Sequence, residues 1–215
     1  MRLYLSSYLW GNHPEKILEL IGSNPKKAAI ITNSADQFPE VGIIERLKQD
    51  QDFLLSLGIT SERLDLRDYF GDRQQELATK LKQYGFIWVR GANVFVLRRA
   101  MRKSGFDEII TNMLKNDEVL YGGFSAGACV IGTTLRGLEL VDDANVIPTG
   151  YDPEILWDGL SMLPFAIAPH YKSDHPESPL IDKTIDYYIQ NNLPFKALRD
   201  GEVLIVDGDS ETVLA

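Results

Sequence analysis

The chain alternates between short, continuous apolar runs and longer segments in which apolar residues recur every three or four positions. The run Lys27–Thr32 is rich in β-branched residues and is typical of a parallel strand buried on both faces. Helical spacing is clear in 94–104, where Val94, Leu97 and Met101 fall on one face. Because strands alternate with helices in the first half, the pattern predicts right-handed crossovers and an α/β fold: a mostly parallel sheet flanked by helices.

The same patterns give a full set of predicted elements. Strands are predicted at 2–6, 27–32, 61–66, 86–89, 118–121, 138–141, 165–168, 195–198, 203–206 and 212–214. Helices are predicted at 14–21, 41–57, 73–84, 94–104, 106–116, 126–131 and 179–191. The apolar register of the second helix is read as Val41, Ile44, Leu47, Leu54 and Leu57. We expect the strand at 138–141 to extend the sheet, and the strand at 203–206 to pair with both 195–198 and 212–214.

Length and charge exclude several classes of protein. A chain of 215 residues is long enough for a full core, and we expect one domain over 1–215. The formal net charge of −9 argues against a surface for nucleic acid or anionic membrane. No apolar run approaches the roughly 20 residues that span a bilayer, and the N-terminus has no signal-peptide pattern. A lone cysteine excludes an intrachain disulfide, so we expect a cytoplasmic protein.

The strongest chemical signal is a G-x-S-x-G pattern at 123–127, between an apolar run and a small-residue segment that can begin a helix. A serine at such a strand-to-helix turn is held on a strained backbone with its hydroxyl exposed, and the helix directs free N–H groups toward it. The pattern favours Ser125 as a nucleophile over a serine that only caps a glycine-rich turn. The loop Gly91–Asn93 also follows a predicted strand, so the two loops are expected at the same edge of the sheet.

A nucleophilic serine needs a base, and the chain has three histidines. His170 follows the predicted strand at 165–168 and is favoured, since that end of a strand is where site residues gather. The alternative interpretation of His170 is a loop histidine that only hydrogen-bonds to the backbone. His175 is interpreted as a solvated surface residue, and His13 as a residue of a polar N-terminal loop.

The acid that would orient the imidazole is less defined. Asp200 lies in a turn at the end of a strand that can lie beside the strand of His170, although aspartate is also a common turn former. The competing acids are Glu139, Asp142, Asp143 and Glu202. From the chemistry of the residues alone, all five remain open.

Two other chemistries use neighbouring residues. The metal-ligating residue types after the predicted strand at 165–168 are His170, Asp174, His175 and Glu177. Their spacing matches no established ligand pattern, so a metal centre is a minor alternative. Cys129 lies four residues after Ser125 on the predicted helix, where a small apolar core residue is expected. A cysteine nucleophile of the glutaminase kind is therefore disfavoured.

Three features taken together resemble the peptidase E (α-aspartyl dipeptidase) family of serine peptidases, to which cyanophycinase is related. They are the loop Gly91–Asn93 before a helix, the turn Tyr121–Ala128 and the late Pro169–His170. The resemblance covers most of the chain. It implies a fold like that of class I glutamine amidotransferases, with a Ser-His-acid triad and the serine on a nucleophile elbow.

The resemblance also implies a role for each site residue. Ser125 would be the nucleophile, His170 the base and Asp200 the acid, at a position where the family has a glutamate. Backbone N–H groups of Gly91 or Ala92 and of Ala126 would form the oxyanion hole. Asn93 would complete the substrate-binding loop.

The chain departs from the family pattern in two places. Ala92 replaces the second glycine of the usual G-G-N loop, and alanine adopts positive φ only at a cost, so a shifted peptide is expected there. In peptidase E an arginine after the catalytic histidine binds an acidic substrate side chain. The corresponding segment here, 172–188, has Lys172 and Lys183 as its only cations.

The resemblance therefore implies a serine peptidase that hydrolyses dipeptides or small peptides, N-terminal aspartyl dipeptides among them, through an acyl-enzyme. No metal or cofactor is required, and we expect a small peptide as the partner of a monomer or homodimer. One alternative is an esterase of the α/β-hydrolase type, which shares G-x-S-x-G but has its acid before its histidine. Another is a non-catalytic binding protein on the same scaffold.

Overall fold

The computed structural model of the protein describes residues 1–215. Its strands are β1 (Arg2–Ser6), β2 (Lys27–Ile31), β3 (Thr60–Arg63), β4 (Phe86–Val89), β5 (Leu120–Phe124), β6 (Ala166–Ala168), β7 (Phe195–Ala197), β8 (Val203–Asp207) and β9 (Ser210–Leu214). Its helices are α1 (Glu15–Ile21), α2 (Glu40–Ser56), α3 (Gln74–Leu81), α4 (Val94–Ser104), α5 (Phe106–Lys115), α6 (Ala126–Cys129) and α7 (Ser178–Gln190). None of these helices is long and apolar enough to cross a membrane.

Seven strands form one sheet in the order β3-β2-β4-β5-β1-β8-β9. The pairs from β3 to β1 are parallel, and β8 and β9 are added antiparallel at the β1 side. A large apolar core packs α3 to α6 on one face, and a second core packs α1 and α2 on the other. Helices on both faces explain why β4 and β5 are buried throughout and read as continuous apolar runs. The predicted α/β architecture is confirmed.

The core-facing register of α2 differs from the predicted one. Val41 and Ile44 are exposed, whereas Ile43, Leu47 and Leu54 are buried together with Asp50. These four residues share one helical face at spacings of three and four. An aspartate in the middle of that face hides the stripe in the sequence, and it is buried because Arg90 pairs with it.

Two predicted strands have different boundaries. β3 ends at Arg63, and Leu66–Tyr69 continues as a short 3₁₀ helix rather than as strand. β5 runs through the two glycines 122–123 to Phe124, three residues beyond the predicted end of the strand at Tyr121. Its carboxyl end therefore lies directly at Ser125.

The predicted strand at 138–141 is wrong. Leu138–Leu140 is a 3₁₀ helix that packs against α7. Gly137, at φ 92°, turns the chain before it, and the hydroxyl of Thr184 donates a hydrogen bond to the Gly137 carbonyl at 2.8 Å. The N–H groups of Leu138, Leu140 and Val141 donate within this turn, so they are not free to pair with a strand.

The predicted pairing of 195–198 with 203–206 is also wrong. β7 pairs in parallel with β6 in a separate two-stranded sheet, while β8 pairs with β1 and with β9. The predicted hairpin of β8 with the last strand is confirmed. Parallel pairing of β6 and β7 aligns Ala168 with Ala197, so the loops that follow both strands leave from the same end of this small sheet.

Candidate active site

The Ser125 turn has the geometry of a nucleophile elbow. Ser125 lies between β5 and α6 at φ 49° and ψ −119°, a strained region for a residue with a side chain. A Cβ on Gly123 would lie 2.7 Å from the backbone of Gly127, and one on Gly127 would lie 2.2 Å from the Val89 carbonyl oxygen. The N–H of Ser125 donates to the Ser7 carbonyl at 3.1 Å. Glycine at 123 allows the chain to turn this tightly, and glycine at 127 allows the turn to pack against β4.

The loop after β4 approaches the elbow directly. A Cβ on Gly91 would lie 2.8 Å from the Ser125 Cβ and 2.8 Å from the Phe124 ring. The N–H groups of Gly91 and Ala92 have no acceptor within the protein, and Ala126 begins α6, so its N–H has no intrahelical acceptor either. Ala92 does not adopt positive φ, so the expected strain from alanine at this position is absent. The three N–H groups are thus available to an oxyanion.

The Asn93 side chain caps α4 and does not line the cavity. Its Oδ1 accepts hydrogen bonds from the N–H groups of Phe95 and Val96 at 2.9 and 3.0 Å, which caps α4. Its Nδ2 donates to the Asp143 carbonyl at 2.9 Å, and the residue is buried. The structure therefore assigns Asn93 to fixing the loop, and a direct substrate contact by its side chain is not supported.

His170 and Asp200 meet because β6 and β7 are parallel neighbours. The His170 Nδ1 lies 2.7 Å from the Asp200 Oδ1, and the imidazole is 1% exposed. Burial lowers the pKa of His170 below its usual 6.5; the carboxylate of Asp200 opposes this shift, and His175 adds to it. The imidazole is therefore neutral at pH 7 and can accept a proton.

Ser7, at the end of β1, is a residue of the site that sequence reasoning missed. Its Oγ lies 2.7 Å from the Asp200 Oδ1 and accepts a hydrogen bond from the backbone N–H of His170 at 2.7 Å. Its carbonyl accepts the N–H of Ser125. Ser7 thus contacts all three residues of the proposed triad. The available signal was its position at the carboxyl end of a central strand, next to the strand that ends at Ser125.

The competing acids do not hydrogen-bond to His170. Each of these acids instead accepts a hydrogen bond from a backbone N–H group. They are Glu139, Asp142, Asp143 and Glu202. His13 lies away from the site, with its Nε2 at 2.7 Å from the carbonyl of Ala215. Asp200 is therefore the acid that the structure places on the imidazole.

His175 is not the solvated residue that its polar loop suggested. It is half-buried, and its ring stacks on that of His170 with centroids 3.7 Å apart and planes 7° apart. One ligand atom each from His170, His175 and Glu177 lies within 4.8 Å of the others, whereas Asp174 is not part of this group. Parallel stacked rings direct their nitrogen lone pairs side by side rather than toward a common point, so the arrangement does not fit tetrahedral zinc.

A cavity of about 370 Å³ unites the candidate residues. Ser125, His170, Gly91 and Ala92 all line it. Lys172 and Lys183, the cations of the segment after His170, do not. Arg46 and Arg90 line it instead, and they come from α2 and from the end of β4.

A model of peptidase family S51 matches residues 14–214 of the chain. The chain belongs to peptidase family S51. This agrees with the resemblance to the peptidase E family.

Several relatives of this chain carry informative names. It is 30% identical over 137 residues to an uncharacterized peptidase of Listeria monocytogenes, which covers 63% of this chain and 62% of the relative. It is 28% identical over 148 residues to a Drosophila melanogaster protein named probable alpha-aspartyl dipeptidase, covering 66% and 57%. It is 28% identical over 135 residues to peptidase E of Streptomyces coelicolor, covering 60% and 52%. The matches thus span 52% to 62% of the length of these three relatives.

Solved structures share the fold. A candidate peptidase E of Listeria monocytogenes superposes with a TM-score of 0.78 at 23% identity, covering 99% of this chain and 97% of that one. A peptidase from an acI-B1 actinobacterium superposes with a TM-score of 0.70 at 16% identity, covering 100% and 87%.

Cys129 is a core residue of the protein, as its position on the helix indicated. It is buried, and its Sγ–H donates to the Ile167 carbonyl at 3.4 Å. Burial raises the pKa of the thiol well above its usual value, so the reactive thiolate is not formed at neutral pH.

Asp142 carries an unusual charge state beside the site. Burial raises its pKa to about 7, and the negative charge of Glu177 adds to the shift, although the Val94 N–H donates to its Oδ2 at 2.8 Å. The folded protein therefore holds a proton on Asp142 that the unfolded chain releases near pH 4. The contribution of Asp142 to the free energy of unfolding is fully present below pH 4 and is lost as pH rises from about 4 through 7.

An Asp142→Asn variant is expected to be more stable than the parent at alkaline pH, because the amide can accept the Val94 N–H without carrying a buried charge. At pH 8.5 we expect a gain of about 2 kcal/mol in the free energy of unfolding, and little change at pH 4. Urea unfolding at both pH values measures it. Asp143→Asn, one residue along and exposed, is the control. A gain that is equal at both pH values would contradict the prediction.

Proposed function

We propose that the protein is a serine peptidase that hydrolyses dipeptides or small peptides through Ser125, His170 and Asp200. One observation carries the proposal: a strained serine elbow and a neutral, carboxylate-bound histidine line the same cavity. Free N–H groups of the Gly91 loop lie next to that serine. This arrangement supplies a nucleophile, a base and electrostatic stabilisation of an oxyanion.

The residues would act in two stages. His170 takes the proton of the Ser125 hydroxyl through Nε2 as the oxygen attacks the scissile carbonyl carbon, and the oxyanion is held by the N–H groups of Gly91 or Ala92 and of Ala126. His170 then protonates the leaving amine, the C–N bond breaks, and an acyl-enzyme remains. Water, deprotonated by His170, cleaves that ester. Asp200 keeps the proton of the neutral imidazole on Nδ1 and stabilises the imidazolium.

A short peptide is the proposed substrate because the cavity is small and relatives bear dipeptidase and peptidase E names. N-terminal aspartyl dipeptides are the first to test. The esterase alternative is disfavoured because its acid would precede its histidine in the chain, whereas the carboxylate on His170 comes from Asp200, after it.

The hydrolysis rate is expected to depend on pH through His170. The base must be neutral, so kcat/KM should fall as pH drops through the pKa of the imidazole. Because burial and the neighbouring His175 outweigh the effects of Asp200 and Glu177, the midpoint of this acid limb is expected below 6.5. A pH profile of kcat/KM measures it. Running the same profile on Asp142→Asn removes a second group that titrates near neutrality, and a midpoint above 6.5 in both proteins would contradict the prediction.

The proposal is tested by two measurements on the unmodified protein. A panel of aspartyl, glutamyl and neutral dipeptides, with an ester of matched size, identifies what is hydrolysed. An alkyl fluorophosphonate, from which an activated serine oxygen displaces fluoride, labels the nucleophile, and mass spectrometry of the digest locates the adduct. We expect peptide turnover and an adduct on Ser125. Ester turnover without peptide turnover would favour the esterase, and neither turnover nor adduct would favour a binding protein.

A further inference from the structure

The cavity contains two arginines whose charges differ in availability. Arg90 is 7% exposed, pairs with the buried Asp50 and lies 5.4 Å from the centroid of the Phe124 ring. Its charge is largely neutralised by that carboxylate. Arg46, one turn before Asp50 on α2, is exposed and makes no ion pair. Its positive charge is therefore free to meet a ligand in the cavity.

The charges of the cavity are also separated by element. Arg46 and Arg90 come from α2 and the end of β4, whereas Glu177 lies just before α7 and His175 in the loop before it. The Glu177 carboxylate is 3.9 Å from the His170 Nε2. A carboxylate of the substrate would be repelled on the Glu177 side and attracted on the Arg46 side. A guanidinium also offers paired N–H donors that match a carboxylate.

We propose that Arg46 binds a carboxylate of the peptide substrate and so determines specificity for acidic or short, free-ended peptides. The inference rests on the proposed function. Arg46 provides the cavity with a cation from α2, whereas the lysines of the segment after His170 do not line the cavity. Two carboxylates can meet this chemistry: the side chain of an acidic first residue, or the C-terminus of a dipeptide. Arg46 would act by holding the substrate and would not take part in the bond changes.

The test compares Arg46→Gln with the parent on three peptides: aspartyl-leucine, asparaginyl-leucine and aspartyl-leucine amide. Lys48→Gln is the control, because it removes one positive charge from the same helix at a residue that is not part of the cavity lining. We expect Arg46→Gln to lower kcat/KM for aspartyl-leucine at least tenfold, chiefly by raising KM, and Lys48→Gln to change it less than twofold.

The two analogues identify the carboxylate. If Arg46 binds the acidic side chain, its replacement has no further effect on asparaginyl-leucine. If it binds the C-terminus, the effect is lost with the amide instead. Equal kinetics for Arg46→Gln and Lys48→Gln on all three peptides would overturn the inference while leaving the peptidase proposal intact.

A binding measurement decides the inference even if hydrolysis is not found. Calorimetric titration of aspartyl-leucine into Ser125→Ala and into Ser125→Ala combined with Arg46→Gln compares Kd directly. A tenfold weaker Kd in the double variant supports the role of Arg46, and an equal Kd, or no binding to Ser125→Ala, overturns it.

Discussion

A Ser125→Ala variant is expected to hydrolyse its peptide substrate about 10⁵- to 10⁶-fold more slowly than the parent, as when the nucleophile of a triad is removed. The reason is that no other side chain replaces the attacking oxygen: the next candidate, Cys129, is buried on α6 with a raised thiol pKa. The residual rate would come from the free N–H groups at the elbow and from substrate binding. Initial rates with the best dipeptide of the panel measure the loss.

The fold should survive this replacement, since the strained turn depends on the glycines and on the Ser125 backbone rather than on the hydroxyl. The thermal midpoint of Ser125→Ala is therefore the internal control, together with Ser56→Ala at an exposed helix end. Retention of more than about a hundredth of the parental rate would be incompatible with a serine nucleophile at this position.

Replacing Asp200 with asparagine is expected to lower kcat by about 10⁴-fold. A carboxylate accepts the His170 Nδ1–H at 2.7 Å, which leaves the Nε2 lone pair for the serine proton. An amide can instead donate to Nδ1, and this would place the imidazole proton on Nε2, where it blocks base action.

The matched control is Glu202→Gln, which makes the same change two residues away, at a carboxylate that binds the Arg199 N–H. We expect its kcat within a few-fold of the parent. Steady-state kinetics on both variants, with fluorophosphonate labelling to count intact nucleophiles, provides the comparison. If Asp200→Asn lost less than tenfold, or if Asp142→Asn lost more than Asp200→Asn, a different acid would have to orient His170.

Features that depend on residues close together in the sequence were predictable. The elbow is one: its steric demand arises between Gly123 and Gly127, and its strain at Ser125, all within five residues. The buried strands β2 and β4 are another, because a strand covered on both faces must be apolar throughout. The family resemblance added roles for residues that a local pattern could not assign, His170 and Asp200 above all.

The predictions that were wrong concern features decided by competition between residues that are distant in the sequence. The strand β7 is apolar and short, and nothing in it specifies whether its neighbour is β8 or β6. The face of α2 was misread because its buried stripe includes Asp50, which only Arg90 makes tolerable. For the same reason the sequence did not predict that Arg46 lines the cavity, because this depends on how α2 packs beside the elbow.

By itself, the sequence determined the alternation of strands and helices and the strained serine turn, since both follow from steric and hydrophobic constraints within a few residues. Only the tertiary structure decided that β6 lies parallel to β7, so that two residues 30 positions apart share a hydrogen bond. It also decided that Ser7 contacts the three proposed catalytic residues and that Arg46 faces their cavity. The physical reason is that strand pairing and helix docking are chosen by the total burial and hydrogen bonding of the whole chain, which no local pattern contains.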